Sequence, residues 1–274
     1  MPELPEVETT RLGVIGYAKG ESLLSIDSSQ KKLRYPCDFT KDDFIGSPCL
    51  DINRRAKYLI FNFGQEKLLM HLGMSGSLRV EATSEIKKKK HDHYMFHFTG
   101  GHSLIYHDPR RFGFVVRYSE AWREKMTAWG PEPLSADFCE KQLLKKVNQS
   151  TKTIKQLIMD QNVVVGVGNI YASEVLFKLG INPMKKGCTI SEEEVGGLVL
   201  EIKNTLHKSI EQGGTTLRDF ISGKEKPGYF KQSLMVYGRE GELCFKCGTA
   251  IERLVLAQRS SFYCPKCQTF SVSN

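Results

Sequence analysis

Long apolar runs are missing from this chain: across 274 residues none approaches the ~20 that a membrane span requires. Missing too are the basic start and apolar stretch of a secretory signal; the first residues are instead acids and prolines. No membrane partner is expected, and the expected compartment is the cytoplasm. No internal repeat is present. A disulfide framework is lacking as well, since Cys37, Cys49, Cys139 and Cys188 stand singly and read as reduced thiols. Acids are the scarcer charge: 31 Asp and Glu against 39 Lys and Arg leave a net charge of +8. That balance favours a polyanionic partner, because cations that neutralise phosphates release counterions. Taken alone, it leaves a protein that binds no nucleic acid equally open.

What is present is the composition of a globular protein, 40% hydrophobic and 26% charged, long enough for two domains with cores of their own. The class expected is α+β. Residues 1–130 are dominated by short strand-like runs, among them "YLIFNF", "LLMHLGMSG", "YMFHFTG", "SLIYH" and "FGFVVRY". They predict a mostly antiparallel β domain behind one N-terminal helix. In that helix Pro5 is expected at the first helical position, with Glu6 and Glu8 complementing the positive end of the dipole. The run Lys87–Lys90 reads as a solvated loop, with phosphate contact as the alternative.

Around "WGPEPLS" the apolar spacing turns helical, in "FCEKQLLKKVNQ", "TIKQLIMDQ", "NIYASEVLFKLG" and "SEEEVGGLVLEIKNTLHKSIEQGG". Ser191 and Glu194 predict a capping box at the start of the last of these, and Gly213-Gly214 its end. The stretch "TTLRDFISGKEKPGYF" reads as a mobile loop, and a cysteine module begins at about residue 236. The expected domains are 1–130, 131–235 and 236–274.

Cys244-x2-Cys247 and Cys264-x2-Cys267 are the strongest single signal. Two thiolate pairs of this spacing close a tetrahedral site around Zn²⁺, and four thiolates leave no open position, so the one zinc expected is structural. The 16 residues between the pairs suit a β-hairpin. Zinc binding, typically ~10–16 kcal/mol in zinc-finger peptides, would fold a module too small for its own core. Arg259, in "AQRSSFYC", falls near the hairpin turn; it is either a surface arginine or a bidentate phosphate ligand.

"VVVGVGNIYASE" is a glycine-spaced turn running into a helix, expected to expose backbone N–H groups toward a phosphate, with Asn169 at the cap. "HLGMSGS" and "HDPRRFGF" are either ordinary loops or a plug. Met74, flanked by glycine and serine, looks too exposed for a core residue, and Arg110 and Phe112 stand at the tip of a tight loop. In a protein that extrudes a base, such side chains fill the vacated stack and kink the duplex. Pro2 becomes terminal once Met1 is removed, which a small second residue permits. An α-amine has a pKa of about 7.7–8.0 against about 10.4 for lysine, so much more of it is free base at neutral pH. A secondary amine that attacks a sugar C1′ gives an iminium, an electron sink for β- and δ-elimination. Glu3 is placed to protonate the ring oxygen.

Together "PELPEVE", "RRAKYL", "HLGMSGSLR", "KHDH", "DPRRFG", "GVGNIYASE", "EQGGTTLRDF", "KPGYF", "VYGREGE" and the four-cysteine ribbon resemble the bacterial formamidopyrimidine-DNA glycosylase family, in the family's order from Pro2 to Cys267. The resemblance implies a two-layer β-sandwich with an N-terminal helix, a helix–two-turn–helix domain and a zinc-ribbon hairpin. It implies a monomer that acts on damaged double-stranded DNA, excising oxidised purines and then cleaving the abasic strand, in the cytoplasm while associated with the nucleoid. By resemblance Pro2 is the Schiff-base nucleophile, Glu3 the acid, Lys57 the lysine that supports β-elimination, and Arg259 the phosphate ligand associated with δ-elimination. His91, Lys155 and Asn169 match DNA-backbone contacts. Met74, Arg110 and Phe112 match the void-filling set. An arginine fork donates to N3 and O2 of cytosine, whereas adenine offers a donor there, so lesions opposite cytosine are expected to be preferred. Residues 217–230 resemble the segment that closes over the everted base.

Two other protein classes share part of this pattern. The endonuclease VIII type uses the same terminal proline on oxidised pyrimidines, but typically begins "PEGPE" and carries a different void-filling set. A non-enzymatic DNA-binding zinc protein fits the charge and the ribbon, but leaves Pro2-Glu3 and the Lys57 motif unexplained.

Overall fold

The computed structural model describes residues 2–29, 31–214 and 234–269. The stretch 217–230, read above as a closing segment, lies outside the described residues, as does the end of the chain from 270. The fold divides into two compact units; along the chain the first gives way to the second between Thr127 and Ala128, and the second to the first again between Gln212 and Gly213. Among the described residues no helix is long and apolar enough to cross a membrane.

The first unit opens with helix α1 (Leu4–Ala18) and continues with eight strands: β1 (Leu23–Ser28), β2 (Asp51–Arg55), β3 (Tyr58–Phe63), β4 (Glu66–His71), β5 (Ser77–Ala82), β6 (Asp92–Phe98), β7 (His102–His107) and β8 (Phe114–Arg117). They form two antiparallel sheets, ordered β1-β6-β7-β5 and β2-β3-β4-β8. "YLIFNF" becomes β3, in which Leu59, Phe61 and Phe63 are buried while Tyr58, Ile60 and Asn62 are only partly so. That is the period of two by which a strand presents one face to a core. The inner faces of the two sheets share one apolar core, where the Phe61 and Phe96 rings stack at 6.2 Å. α1 adds Val7, Val14 and Ala18 to that core, each larger apolar side chain contributing ~1.5–3 kcal/mol by leaving water. Helix α2 (Glu120–Thr127) follows β8 and stacks Trp122 on Phe114.

One detail of α1 differs from expectation. Leu4 takes the first helical position and Pro5 the second, because the Glu3 N–H donates to the Glu6 carboxylate at 2.8 Å and makes Glu3 the cap. The missing N–H of Pro5 still falls among the first-turn donors that have no helical partner.

The second unit holds helices α3 (Glu140–Val147), α4 (Ile154–Ile158), α5 (Asn169–Lys178) and α6 (Glu192–Glu211), packed around a second core that includes Leu143, Leu157, Tyr171 and Leu198. α6 begins at the Ser191–Glu194 capping box, with bonds of 2.8 and 3.2 Å. It ends before Gly213 at φ +79°, a left-handed position that glycine adopts without a Cβ clash. After residue 234 the chain is drawn to α5 by the Glu174 carboxylate. This buried group accepts the N–H groups of Met235, Val236 and Tyr237 at 2.8, 3.0 and 2.9 Å. The hairpin β9 (Glu252–Leu256) and β10 (Arg259–Tyr263) then lies between the two cysteine pairs.

Candidate active site and nucleic-acid interface

At the head of the first unit Pro2 is partly exposed and Glu3, directly behind it, is buried. One turn further along α1, Glu8 bonds Arg11 at 2.7 Å and Arg54 of β2 at 2.8 Å. Burial raises the pKa of the Glu8 carboxyl, but the hydrogen bonds from Arg11 and Arg54 outweigh it, so the group lies below its ordinary value. Arg54 also donates to the Ala56 carbonyl at 3.0 Å. Ala56, at φ +54°, and Lys57 form the two-residue turn between β2 and β3. The helix that begins behind Pro2 therefore holds the hairpin tip that carries Lys57. Lys57 also acts on His71: burial first, then the Lys57 and Arg34 charges, push the imidazole down to about 4. It is neutral at physiological pH, and its Nδ1 accepts the Gly73 N–H at 3.1 Å.

The two loops singled out in the sequence meet within this unit. A Cβ on Gly73, at φ +67°, would lie 2.3 Å from the Gly113 nitrogen, so the backbones of "HLGMSGS" and "HDPRRFGF" abut. Met74 and Phe112 are 43% and 44% exposed, far more than the core allows, and the Arg110 guanidinium sits 5.1 Å over the Phe112 ring. His91 precedes β6, edge-on to His107 at 5.8 Å. Desolvation, then His107, Lys90 and Lys31, lower its pKa. The Lys87–Lys90 loop beside it is exposed.

In the second unit, Lys155 and Asn169 converge on the start of β10. Asn169 Nδ2 donates to the Ser260 carbonyl at 2.7 Å, while Lys155 Nζ donates to Ser261 Oγ at 2.7 Å and to the same carbonyl at 3.3 Å. Lys155 is 2% exposed, its ammonium turned to these two residues of β10. Arg259 is exposed and follows directly on a turn made by Ala257 and Gln258, at φ +46° and +62°. It lines a concavity of about 240 Å³ with Lys152, Lys155 and Gln156. Two features of this region differ from the sequence expectation. Gly168, not Asn169, caps α5, and Asn169 is the first helical residue, its amide turned to the hairpin. The preceding turn does not expose its amides throughout: residues 163–168 are buried, and Val163, Val164 and Val165 donate to the carbonyls of Asp160 and Pro131.

The Sγ atoms of Cys244, Cys247, Cys264 and Cys267 all lie within 4.8 Å of one another. Zn–S bonds of ~2.3 Å in a tetrahedron set sulfurs about 3.8 Å apart. The Cys244–Cys267 and Cys247–Cys264 separations of 3.9 and 3.4 Å match that, so the four residues fit one structural zinc with no position left for catalysis. The sequence did not reveal the contacts that hold these parts in place: Glu8 with Arg54, and those of His71, Asp108 and Glu174. Glu8 carried a local signal only for the helix dipole, and Asp108 only as an Asp opening a Pro-containing turn.

The sandwich, the helical unit and the four-thiolate hairpin place the chain in the helix–two-turn–helix class of zinc-ribbon proteins. Three family models match it in order. They are the formamidopyrimidine-DNA glycosylase N-terminal domain over residues 1–115, the H2TH domain of the same glycosylase over 129–221, and the zinc finger found in FPG and IleRS over 241–269. Formamidopyrimidine-DNA glycosylase of Edwardsiella ictaluri is 46% identical, over 98% of this chain and all of that protein. That of Magnetococcus marinus is 47% identical over 98% and 99%. A crystal structure of a Lactococcus lactis FPG mutant with DNA containing Fapy-dG superposes with a TM-score of 0.87. It is 35% identical, over 98% of this chain and all of that one. The chain belongs to the formamidopyrimidine-DNA glycosylase family.

Proposed function

We propose that this chain is a DNA glycosylase and abasic-site lyase that removes oxidised purines, chiefly 8-oxoguanine opposite cytosine and formamidopyrimidines, from duplex DNA. Similarity to such glycosylases over 98% of the chain carries the reading. The chemistry is supported by Pro2 directly ahead of a buried Glu3 at the head of α1. With Met1 removed, the Pro2 amine attacks C1′, the C1′–N9 bond breaks and the purine leaves with a proton. Glu3 protonates O4′, the C1′–O4′ bond opens, and the nitrogen lone pair forms the iminium. Loss of a C2′ proton expels the 3′-phosphate, a second elimination expels the 5′-phosphate, and water releases Pro2.

Lys57 supports the first elimination, and Arg259, holding the flanking phosphates, the second. Met74, Arg110 and Phe112 fill the space the extruded nucleotide leaves, while His91 and Asn169 contact the backbone and Lys155 supplies positive charge behind β10. Residues 1–130 are the catalytic domain, 131–235 the helix–two-turn–helix domain and 236–274 the zinc ribbon. The protein works as a monomer in the cytoplasm, at the nucleoid. Borohydride trapping on a duplex with one 8-oxoguanine opposite cytosine, with mass mapping of the adduct, tests this. An adduct on terminal Pro2 is expected. No adduct from zinc-loaded protein lacking Met1 would reject the chemistry in favour of a non-enzymatic DNA-binding protein.

A further inference from the structure

We propose that Asp108 is a positioning residue for opposite-base recognition: one buried carboxylate sets where Met74, Arg110 and Phe112 stand. The proposal rests on the reading of those three side chains as the void-filling set. Asp108 is fully buried. Its Oδ1 accepts the Ser75 hydroxyl at 2.6 Å and the Arg110 N–H at 3.3 Å; its Oδ2 accepts the Gly113 N–H at 2.9 Å and the Tyr106 hydroxyl at 3.2 Å. Three of these donors come from the two loops and the fourth, Tyr106, from β7. Ser75 follows Met74, while Arg110 and Gly113 bracket the turn that presents Phe112. Ser75 Oγ also accepts the Arg110 N–H at 3.2 Å, closing a ring between the loops through a single side chain.

A carboxyl taken out of water is costly unless its oxygens are hydrogen-bonded, and here both are. This one holds a strained turn. Arg111 has φ +57°, a left-handed conformation that a residue other than glycine adopts at a cost, and its N–H is tied at 3.3 Å to the Asp108 carbonyl. That carbonyl also pairs with His93 Nε2 at 2.9 Å. With Arg111 so held, Arg110 and Phe112 are set side by side, the guanidinium 5.1 Å over the ring. Arg110 then meets the orphaned base already ordered, which lowers the entropy lost on insertion. Asp108 itself is too deep to touch DNA.

The test compares Ser75→Ala, Ser75→Thr, Asp108→Asn and Arg110→Ala with the unsubstituted protein. Single-turnover excision of 8-oxoguanine is measured opposite cytosine and opposite adenine, with melting temperature and zinc content recorded for each. Arg110→Ala should abolish the preference for cytosine. Ser75→Ala and Asp108→Asn should lower it about tenfold, the equilibrium worth of one charge-assisted hydrogen bond, while Ser75→Thr, which restores the hydroxyl, should retain it. Should Asp108→Asn fail to fold, Ser75→Ala against Ser75→Thr decides. If folded Ser75→Ala keeps the full preference that Arg110→Ala loses, the role of Asp108 is refuted. If Arg110→Ala keeps the preference, the void-filling reading fails, and this proposal with it.

Discussion

Acid should weaken the first unit through Asp92 in a narrow and calculable window. The Asp92 side chain is wholly buried, and Arg79 grips it bidentately at 2.8 and 2.7 Å. His107 Nδ1 adds a bond at 2.9 Å and the Lys89 N–H another at 2.7 Å. Burial alone would raise the pKa, but the Arg79 bonds, the Lys89 amide and His107 outweigh it and hold the group at about 2, against 3.8. A depressed folded-state value means that the unfolded chain binds the proton first as pH falls. The stabilisation, ~2 kcal/mol, is complete above the unfolded value and is lost as pH falls toward the folded one.

Replacement by Asn removes the titration and leaves Arg79 with only Glu81, at an expected cost of ~3 kcal/mol at pH 5. Between pH 5 and pH 3 the gap between the unsubstituted protein and Asp92→Asn should shrink by about 1 kcal/mol, with the other carboxylates cancelling in the difference. Urea unfolding at the two pH values reads it, in a Trp129→Phe background so that Trp122 on Phe114 reports the first unit. A gap that stays constant or widens as pH falls would refute the account of Asp92. The loop so held leads into His91, so the same variant should also reduce backbone affinity.

Two further perturbations address the parts that neighbour the chemistry. Chelation of zinc should unfold the β9–β10 hairpin and abolish tight duplex binding while leaving the Trp122 signal unchanged. Elemental analysis, circular dichroism and gel shift check this, and undiminished binding by zinc-free protein would remove the ribbon from the interface. Arg54→Ala breaks a largely buried pair with Glu8 and the bond to the Ala56 carbonyl, at ~2 kcal/mol, and loosens the turn that carries Lys57. Strand cleavage should slow more than base release when the two are timed separately, by gel and by chromatography. Equal slowing would mean that Lys57 does not depend on this anchor.

Elements whose cause is local were legible in the sequence. Alternation placed β3 on "YLIFNF", Ser191 and Glu194 marked the start of α6, and the cysteine spacing marked a closed thiolate site. Where a neighbouring element competes, the local reading slips. The Glu6 carboxylate reaches back to Glu3 and moves the start of α1 by one residue. The glycine-spaced turn before α5, open in a sequence view, is covered in the fold, because Gly130 lies against Val163 with no room for a Cβ. The supporting groups were the least legible. Glu8 meets Arg54 across 46 residues, Asp108 meets Ser75 across 33, and Glu174 meets Met235 across 61. No periodicity or spacing rule connects partners so far apart. Each is a buried or half-buried carboxylate whose oxygens are satisfied in part by donors far away in the sequence, which arrive only when the sheets and helices have packed. The side chains proposed to touch DNA are named by motif, but the precision with which they stand is a tertiary property. It follows that substitutions at Glu8, Asp108 or Glu174 should disturb function through geometry, and be separable from losses at Pro2 or Glu3 by which step they slow.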